Sequence, residues 1–530
     1  MSVPLPALVL IPLVAAFLLP LVGSIPRKGR SISTFIANVV TILLVVLAVD
    51  CVRRLAAARA AGQAQTMIVY EVGRWAIPLG INMVLDGLSC LMLLAVSIVS
   101  AAAMLFSTRY MEQYTGKVKY LTLFLLMVAG LNGVVLSGDI FNMFVFLEIA
   151  SLASYALVGF GCEHEELEAS FKYMVLGSIA SLFVLFAIAL VYGNTGSLNL
   201  AYIAKAIHTA GMNVGLSFAM AMFIAGFGLK AALVPFHAWL PDAHPSAPAP
   251  ISAMLSGVLI KILGVYALVR ILFNVFGVTI PVTWLLIGLG LLSMLVGAFL
   301  AMGQWDFKRL LAYSSISQVG YVVLGIGLGG LIIARAGKNM DTRHLAWASL
   351  AILGALFHLV NHAVYKSLLF LTSGSIQMAT GTREMRQMGG LAEKMPVTRA
   401  ACTIASASIV GLPPFAGFWS KLLLVIAAVQ AGFYWIAAVI VFVSLCTLIM
   451  YLKVQRYVFL GDLPANLRQT RESSGSMLAA LVFLAVLCLL MGFLMMPSLK
   501  DAVLAPAVKV LTDGLSYSTT VIDSSIAKGM

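Results

Sequence analysis

Residues 226–250 read GFGLKAALVPFHAWLPDAHPSAPAP. The stretch opens at the end of an apolar run, carries Lys230, and is then interrupted by Pro235, Pro241, Pro245, Pro248 and Pro250. Proline has no N–H to donate and collides with the preceding turn, so a helix entering this segment must kink or break. A second interrupted run, IVGLPPFAGFWSKLLLV at residues 409–425, holds Gly411, Pro413, Pro414 and Gly417, followed by Lys421. Inside a bilayer, irregular backbone is tolerated only where it is buried in protein or lines a polar cavity. Two broken helices at corresponding positions of two halves point to an inverted-repeat transporter with its site near the membrane midplane.

The rest of the chain fits that setting. Of 530 residues 62% are hydrophobic and only 10% charged, with a mean hydropathy of +1.04. A soluble domain carries nearer a quarter charged residues, so the composition specifies an all-α polytopic membrane protein. Runs long enough to cross the bilayer, about 20 residues each, fall at 3–23, 31–51, 80–106, 119–137, 139–161, 172–192, 213–240, 250–276, 280–302, 308–333, 346–377, 399–429, 432–460 and 477–497. That is about fourteen spans. The interruptions fall in the seventh and twelfth, five spans apart, which predicts two inverted five-helix repeats, spans 4–8 and 9–13. The expected organisation is therefore 1–118 for helices 1–3, 119–276 for the first repeat, 280–460 for the second, and 461–530 for helix 14 and the tail.

A net charge of +13 would suggest nucleic acid for a soluble protein, but the basic residues are scattered over short loops. They read as topology signals that meet lipid headgroups, and nucleic acid is not an expected partner. The loop bias predicts both termini outside a bacterial or archaeal-type cell membrane. The six cysteines show no C-x-x-C spacing or His/Cys cluster, so neither a disulfide framework nor a metal site is indicated. No haem-type histidine pattern, Fe–S motif or dinucleotide-binding glycine loop is evident, and no cofactor is expected.

Five charges inside apolar spans carry the functional reading: Glu148, Lys230, Lys261, Lys366 and Lys421. An ionisable group at bilayer depth costs roughly 2.5–3.5 kcal/mol on insertion scales, and such groups mark ion or proton paths. Glu148 and Lys230 form a candidate proton switch, because pairing and desolvation shift each group's proton affinity in opposite directions. A static pair that fixes helix packing is the alternative. His358, Asn361, His362, Tyr365 and Lys366 recur at i, i+3, i+4, i+7 and i+8, one face of a helix. Imidazoles accept at one nitrogen and donate at the other, which suits proton relay; a helix–helix hydrogen-bond network is the other reading. His237, just after Pro235, could link Lys230 to water or bond within its loop. Asp86 and Asp139 read as structural, and AYSSISQVGY at 312–321 supplies hydroxyls either for water or for helix packing.

GDIFNMFVFLEIASLASYAL, EASFKYMVLGS with YGNTGSLN, the stretch from Gly228 to Arg270, AYSSISQVGY and LPPFAGFWSK resemble the large antiporter-like subunits shared by Mrp-type multisubunit cation/proton antiporters, energy-converting membrane hydrogenases and respiratory complex I. The resemblance spans roughly residues 80–460. It implies a mid-membrane path on Glu148, Lys230, Lys261 and Lys421, with the His358/His362/Lys366 face as its central connection. It also implies a proton-translocating subunit, with Na⁺ exchange as a variant, working beside other membrane subunits. Some complex I-type members end the path in glutamate, whereas this chain has Lys421. A quinone- or haem-binding electron-transfer subunit and a solute transporter of another class are the competing readings. Whether the chain belongs to an enzyme is left open by its lack of a redox motif.

Overall fold

The computed structural model describes residues 5–26, 28–60 and 67–529. Helices dominate. Eleven among the described residues are long and apolar enough to cross a membrane, from Gly29–Arg59 to Gly475–Met495. Four shorter apolar helices, Ala7–Gly23, Val214–Lys230, Pro396–Val410 and Ala416–Gln430, accompany them. Residues 3 and 4 of the first expected span, and 61–66 of the loop after the second, lie outside the described residues. The close junction of the fourth and fifth spans resolves cleanly: Lys117–Leu136 stops, and Asp139 accepts from Asn142 N at 2.8 Å to begin Ile140–Val158. An aspartate at this position satisfies an otherwise unpaired N–H of the first turn.

Both interrupted spans break where the prolines require it. Val214–Lys230 ends at Lys230, and a short helix, Leu240–Ser246, follows a stretch of turns. Buried partners satisfy the loosened backbone. Val234 N donates to Ser293 Oγ at 3.0 Å, and Trp239 Nε1 donates to the Leu229 carbonyl at 3.1 Å. Trp239 stacks on Tyr173 with ring centroids 4.2 Å apart. Gly264 makes this packing possible, since a Cβ there would come within 2.4 Å of Ala231 backbone atoms. At the second break Pro396–Val410 gives way to Ala416–Gln430 through Gly411, whose φ of +89° is the left-handed region that glycine enters without steric cost. Gly417 is packed so closely that a Cβ would sit 1.8 Å from the Ser408 carbonyl oxygen.

Around these breaks, Thr342–Thr380 packs against Phe307–Ala336, both halves of the second broken span, and Ala249–Met254. Ala249–Phe276 is enclosed on all sides and is wound as a wide π-type helix over Leu255–Tyr266. Such winding is uncommon and recurs at functional sites.

A small β-hairpin departs from the all-helical expectation. Ile68–Glu71 pairs antiparallel with Asn82–Leu85, Ile68 opposite Leu85 and Glu71 opposite Asn82. Between them the sequence lacks a two-residue turn signal, so the pairing was not legible. The segment after Pro497, part of the expected tail, forms helices including Ala505–Thr512 and Ser516–Gly529. They are tied down by Asn274, whose Nδ2 donates to the Val510 and Gly514 carbonyls at 2.9 Å each.

Asp86 and Arg270 lock this end of the bundle. The guanidinium meets the carboxylate twice, at 2.7 and 3.0 Å, with both side chains buried. Arg270 also reaches Asn274, Ser89 and Tyr266 and lies over the Tyr517 ring, while Asp86 caps Gly87–Tyr110. Asp86→Asn keeps a competent helix cap but leaves a buried cation without its counter-charge, a change that costs about 3–5 kcal/mol. Thermal unfolding in detergent should show a large loss for Asp86→Asn, partly recovered by adding Arg270→Met.

Candidate ion path

Lys230 is the last residue of Val214–Lys230, and the break beyond it turns its side chain toward Ile140–Val158. Its Nζ donates to Ser151 Oγ at 2.9 Å and Tyr155 Oη at 3.2 Å, and lies 3.9 Å from Glu148 Oε1. The Ser181 hydroxyl donates to the Glu148 carboxylate. Glu148 and Lys230 are thus brought together as the sequence suggested, but not equally hidden. The Lys230 side chain is 3% exposed and that of Glu148 28%, so Glu148 opens on the flank of the chain. His237 is half-buried on the break and makes no hydrogen bond to Lys230; its Nδ1 is enclosed without a protein partner.

Lys261 sits on the wide helical turns, fully enclosed, and donates to the Ser256 carbonyl. Ser256 Oγ lies 2.7 Å from Ser315 Oγ, which joins this helix to Phe307–Ala336. The Thr342–Thr380 helix presents the predicted face, and all five of its residues are buried. They divide among different neighbours. His358 Nδ1 is 3.0 Å from Ser420 Oγ, and Nε2 is 3.1 Å from Gln318 Oε1 and 3.5 Å from Tyr365 Oη. Asn361 Nδ2 donates to the Ala416 carbonyl at 3.1 Å, holding the start of the second half of the broken span. Lys366 Nζ donates to Tyr451 Oη at 3.3 Å, and Tyr451 Oη lies 3.2 Å from Ser314 Oγ. Between His358 and Lys366, His362 has neither ring nitrogen bonded to protein, although it lies within electrostatic reach of Lys261, Lys366 and His358.

Lys421 occupies the second break in a different way from Lys230 at the first. Its Nζ donates to the carbonyls of Ile409 and Val410 at 2.8 and 3.0 Å, the end of the helix half before it. Those carbonyls have lost their helical donors, and a cation at a helix C-terminus is favoured by the aligned peptide dipoles. The ammonium also lies 5.3 Å from the centre of the Tyr321 ring, and that ring is 5.2 Å from the His358 ring.

Several polar groups at the site escaped the sequence reading. His244 is fully buried against Phe370, with centroids 4.4 Å apart, and neither of its nitrogens has a protein partner. It stands in PDAHPS, which reads as loop, so only its position in space sets it apart. Lys308 stands at the start of its span. It is 2% exposed, with Nζ 2.9 Å from the Ala247 carbonyl. Ser151 and Tyr155 fall at i+3 and i+7 from Glu148, a face the spacing offered, whereas Ser181 and Tyr451 carry no such signature because each meets its partner from another helix.

Residues 137–447 match the family described as NADH:quinone oxidoreductase/Mrp antiporter, TM, and residues 71–121 match the N-terminus of chain 5 of NADH-ubiquinone oxidoreductase (complex I). The chain belongs to the NADH:quinone oxidoreductase/Mrp antiporter transmembrane family. Over 95% of its length and 97% of the relative's, it is 32% identical to a Na(+)/H(+) antiporter subunit of Alkalihalophilus pseudofirmus. It is 38% identical to an NADH-quinone oxidoreductase subunit of Desulforudis audaxviator, covering 74% of this chain and 76% of that one. Among solved structures, a chain of the Mrp complex from Dietzia sp. superposes with a TM-score of 0.85 at 28% identity, covering 98% and 99% of the two chains. A chain of an archaeal membrane-bound sulfane sulfur reductase gives 0.84 at 30% identity, covering 98% and 100%. Members of the Mrp antiporter family thus share this architecture across antiporter and respiratory assemblies, and this chain is an antiporter-like membrane subunit.

The two histidines of the central helix should respond differently to removal. His358→Phe strips Ser420 and Gln318 of a buried partner and should destabilise by about 1–3 kcal/mol. His362→Phe leaves no protein group newly unpaired and should fall well short of that, a contrast readable by thermal unfolding in detergent.

Proposed function

We propose that the chain translocates protons along the membrane midplane, from Glu148 and Lys230 through Lys261 and the His362/His358/Lys366 face to Lys421. The observation that carries this reading is the row of buried ammonium groups. Lys261, Lys366 and Lys421 have no carboxylate within 4.0 Å among the described residues and are held by carbonyl or phenol oxygens alone. A buried charge without a counter-charge is costly, so each ammonium is poised to release or receive its proton. His362 and His244, with ring nitrogens unclaimed by protein, lie within electrostatic reach of both Lys261 and Lys366 and can hand protons on in either direction. His237 and the Asn361/Tyr365 pair serve as secondary groups along the same route.

The relatives named as Na(+)/H(+) antiporter subunits support exchange of H⁺ for Na⁺, and those named as oxidoreductase or hydrogenase components support drive by redox chemistry in a neighbouring subunit. Both support a place within a larger assembly, in which the open side of Glu148 meets a neighbouring subunit. Counting Ala7–Gly23 and each broken helix as one crossing gives fourteen spans, arranged as repeats 119–276 and 280–460. The loops near 24–26, 111–116, 159–163, 304–306, 381–395 and 460–474 gather on one face. Counted together with the helix ends that flank them, they carry the larger share of lysine and arginine, which favours a cytoplasmic position for them and both termini outside the cell membrane.

Glu148→Gln keeps the size of the side chain but removes its charge, and should abolish ΔpH formation in membrane vesicles while the assembly still forms on a native gel. Wild-type ΔpH in that variant would refute the switch. At the far end, Lys421→Ala should block proton flux, whereas Lys421→Glu should retain part of it because a carboxyl can also exchange a proton there. Near-normal flux in both would reduce Lys421 to a helix cap.

A further inference from the structure

We infer that a cleft on the more basic face, bounded by Gly29–Ala60, Gly87–Tyr110 and the start of Lys117–Leu136, binds the phosphate of an anionic phospholipid. It measures about 570 Å³ and is lined at one level by Arg30, Arg109, Lys117 and Glu112. Three cations face one carboxylate, and that carboxylate is already taken: Arg109 Nη1 lies 3.0 Å from Glu112 Oε2. The other two are held only by backbone. Arg30 Nη2 donates to the Tyr114 carbonyl at 3.5 Å, and Lys117 Nζ to the Thr108 carbonyl at 2.6 Å. Lys117 is 4% exposed and has no carboxylate within 4.0 Å among the described residues; the carboxylate that attracts it, Glu112, is already paired with Arg109. An anion in the cleft supplies a counter-charge, and charge-assisted bonds from ammonium and guanidinium to phosphate are among the stronger hydrogen bonds.

The walls of the cleft say which anion. Phe35 and Ile42, which also line it, are 70% and 57% exposed and stand two turns apart on Gly29–Ala60, about 10 Å along its axis at the usual helical rise. A site with cations at headgroup level and an apolar wall running from it toward the bilayer interior matches a phospholipid, with its phosphate above and its acyl chains below. Inorganic phosphate has nothing to place on that wall. A zwitterionic lipid brings its own cation to a cleft with a surplus of them. Basic clefts between membrane helices on a cytoplasmic face are a recurring setting for anionic headgroups. The site shares no residue with the ion path and does not depend on the transported ion.

Native mass spectrometry of the chain in its native assembly, after reconstitution in an equal mixture of phosphatidylglycerol and phosphatidylcholine, tests the assignment. One phosphatidylglycerol should be retained preferentially, and Arg30→Gln with Lys117→Gln should lower that retention about tenfold. Because Lys117 is buried, Arg30→Gln with Arg109→Gln provides a second variant confined to exposed side chains, and it should weaken retention in the same direction. Equal retention of the two lipids, displacement by millimolar inorganic phosphate, or unchanged retention in the Arg30/Arg109 variant would overturn it. So would crosslinking from position 35 that captures a neighbouring subunit in place of lipid.

Discussion

An ammonium group within hydrocarbon must be given oxygen atoms or lose its proton, and this bundle is built around meeting that requirement several times over. Lys230 is met by a serine, a tyrosine and a distant carboxylate, Lys366 by a tyrosine, Lys261 and Lys308 by carbonyls, and Lys421 by two carbonyls at once. Neutral oxygens stabilise an ammonium less than a carboxylate does, which leaves its two protonation states closer in free energy. A bundle that paired each lysine with an aspartate or glutamate would be a better static structure and less suited to the proton transfer proposed for this row.

The helix breaks and the lysines are two sides of one arrangement. Breaking a helix in a membrane frees carbonyl and N–H groups that lipid cannot satisfy. At the second break Lys421 satisfies two such carbonyls, and Asn361 satisfies the Ala416 carbonyl on the opposite half. At the first break the freed groups are met by Ser293 and Trp239, which leaves Lys230 to face Ile140–Val158. The two interruptions look alike in sequence and bind their lysines differently. On the proposed path, a proton leaving Lys421 would perturb the backbone of its own break, whereas one leaving Lys230 would perturb its neighbour helix.

The flank of the chain has its own logic. Glu148 is partly open beside Phe141, Val145 and Leu152, all exposed on the same helix. A carboxylate on a lipid-facing surface is unfavourable, whereas one at a subunit contact is not. This agrees with the multisubunit assemblies in which the structurally similar chains are found. Asp86 and Arg270, by contrast, form an ion pair that is enclosed, doubly hydrogen-bonded and tied to the C-terminal helices through Asn274. It is a fastener, the kind of charge burial that the lysine row avoids.

Sequence alone determined the membrane class, the two breaks, and the identity of the lysines, glutamate and histidines in the apolar spans. Those are properties of single segments: hydropathy over about 20 residues, the missing N–H of proline, and the cost of charge in lipid. The helical face of His358, Asn361, His362, Tyr365 and Lys366 was legible for the same reason, since its spacing is local. Tertiary structure decided what each of them touches. It divided that face between Gln318 and Ser420 at one end and Tyr451 at the other, drew His244 out of an apparent loop into the interior, and left Glu148 on the flank. It also paired Ile68–Glu71 with Asn82–Leu85. Each of these depends on helices or strands distant in sequence meeting at one depth, and periodicity within a segment carries no information about the segment it will meet.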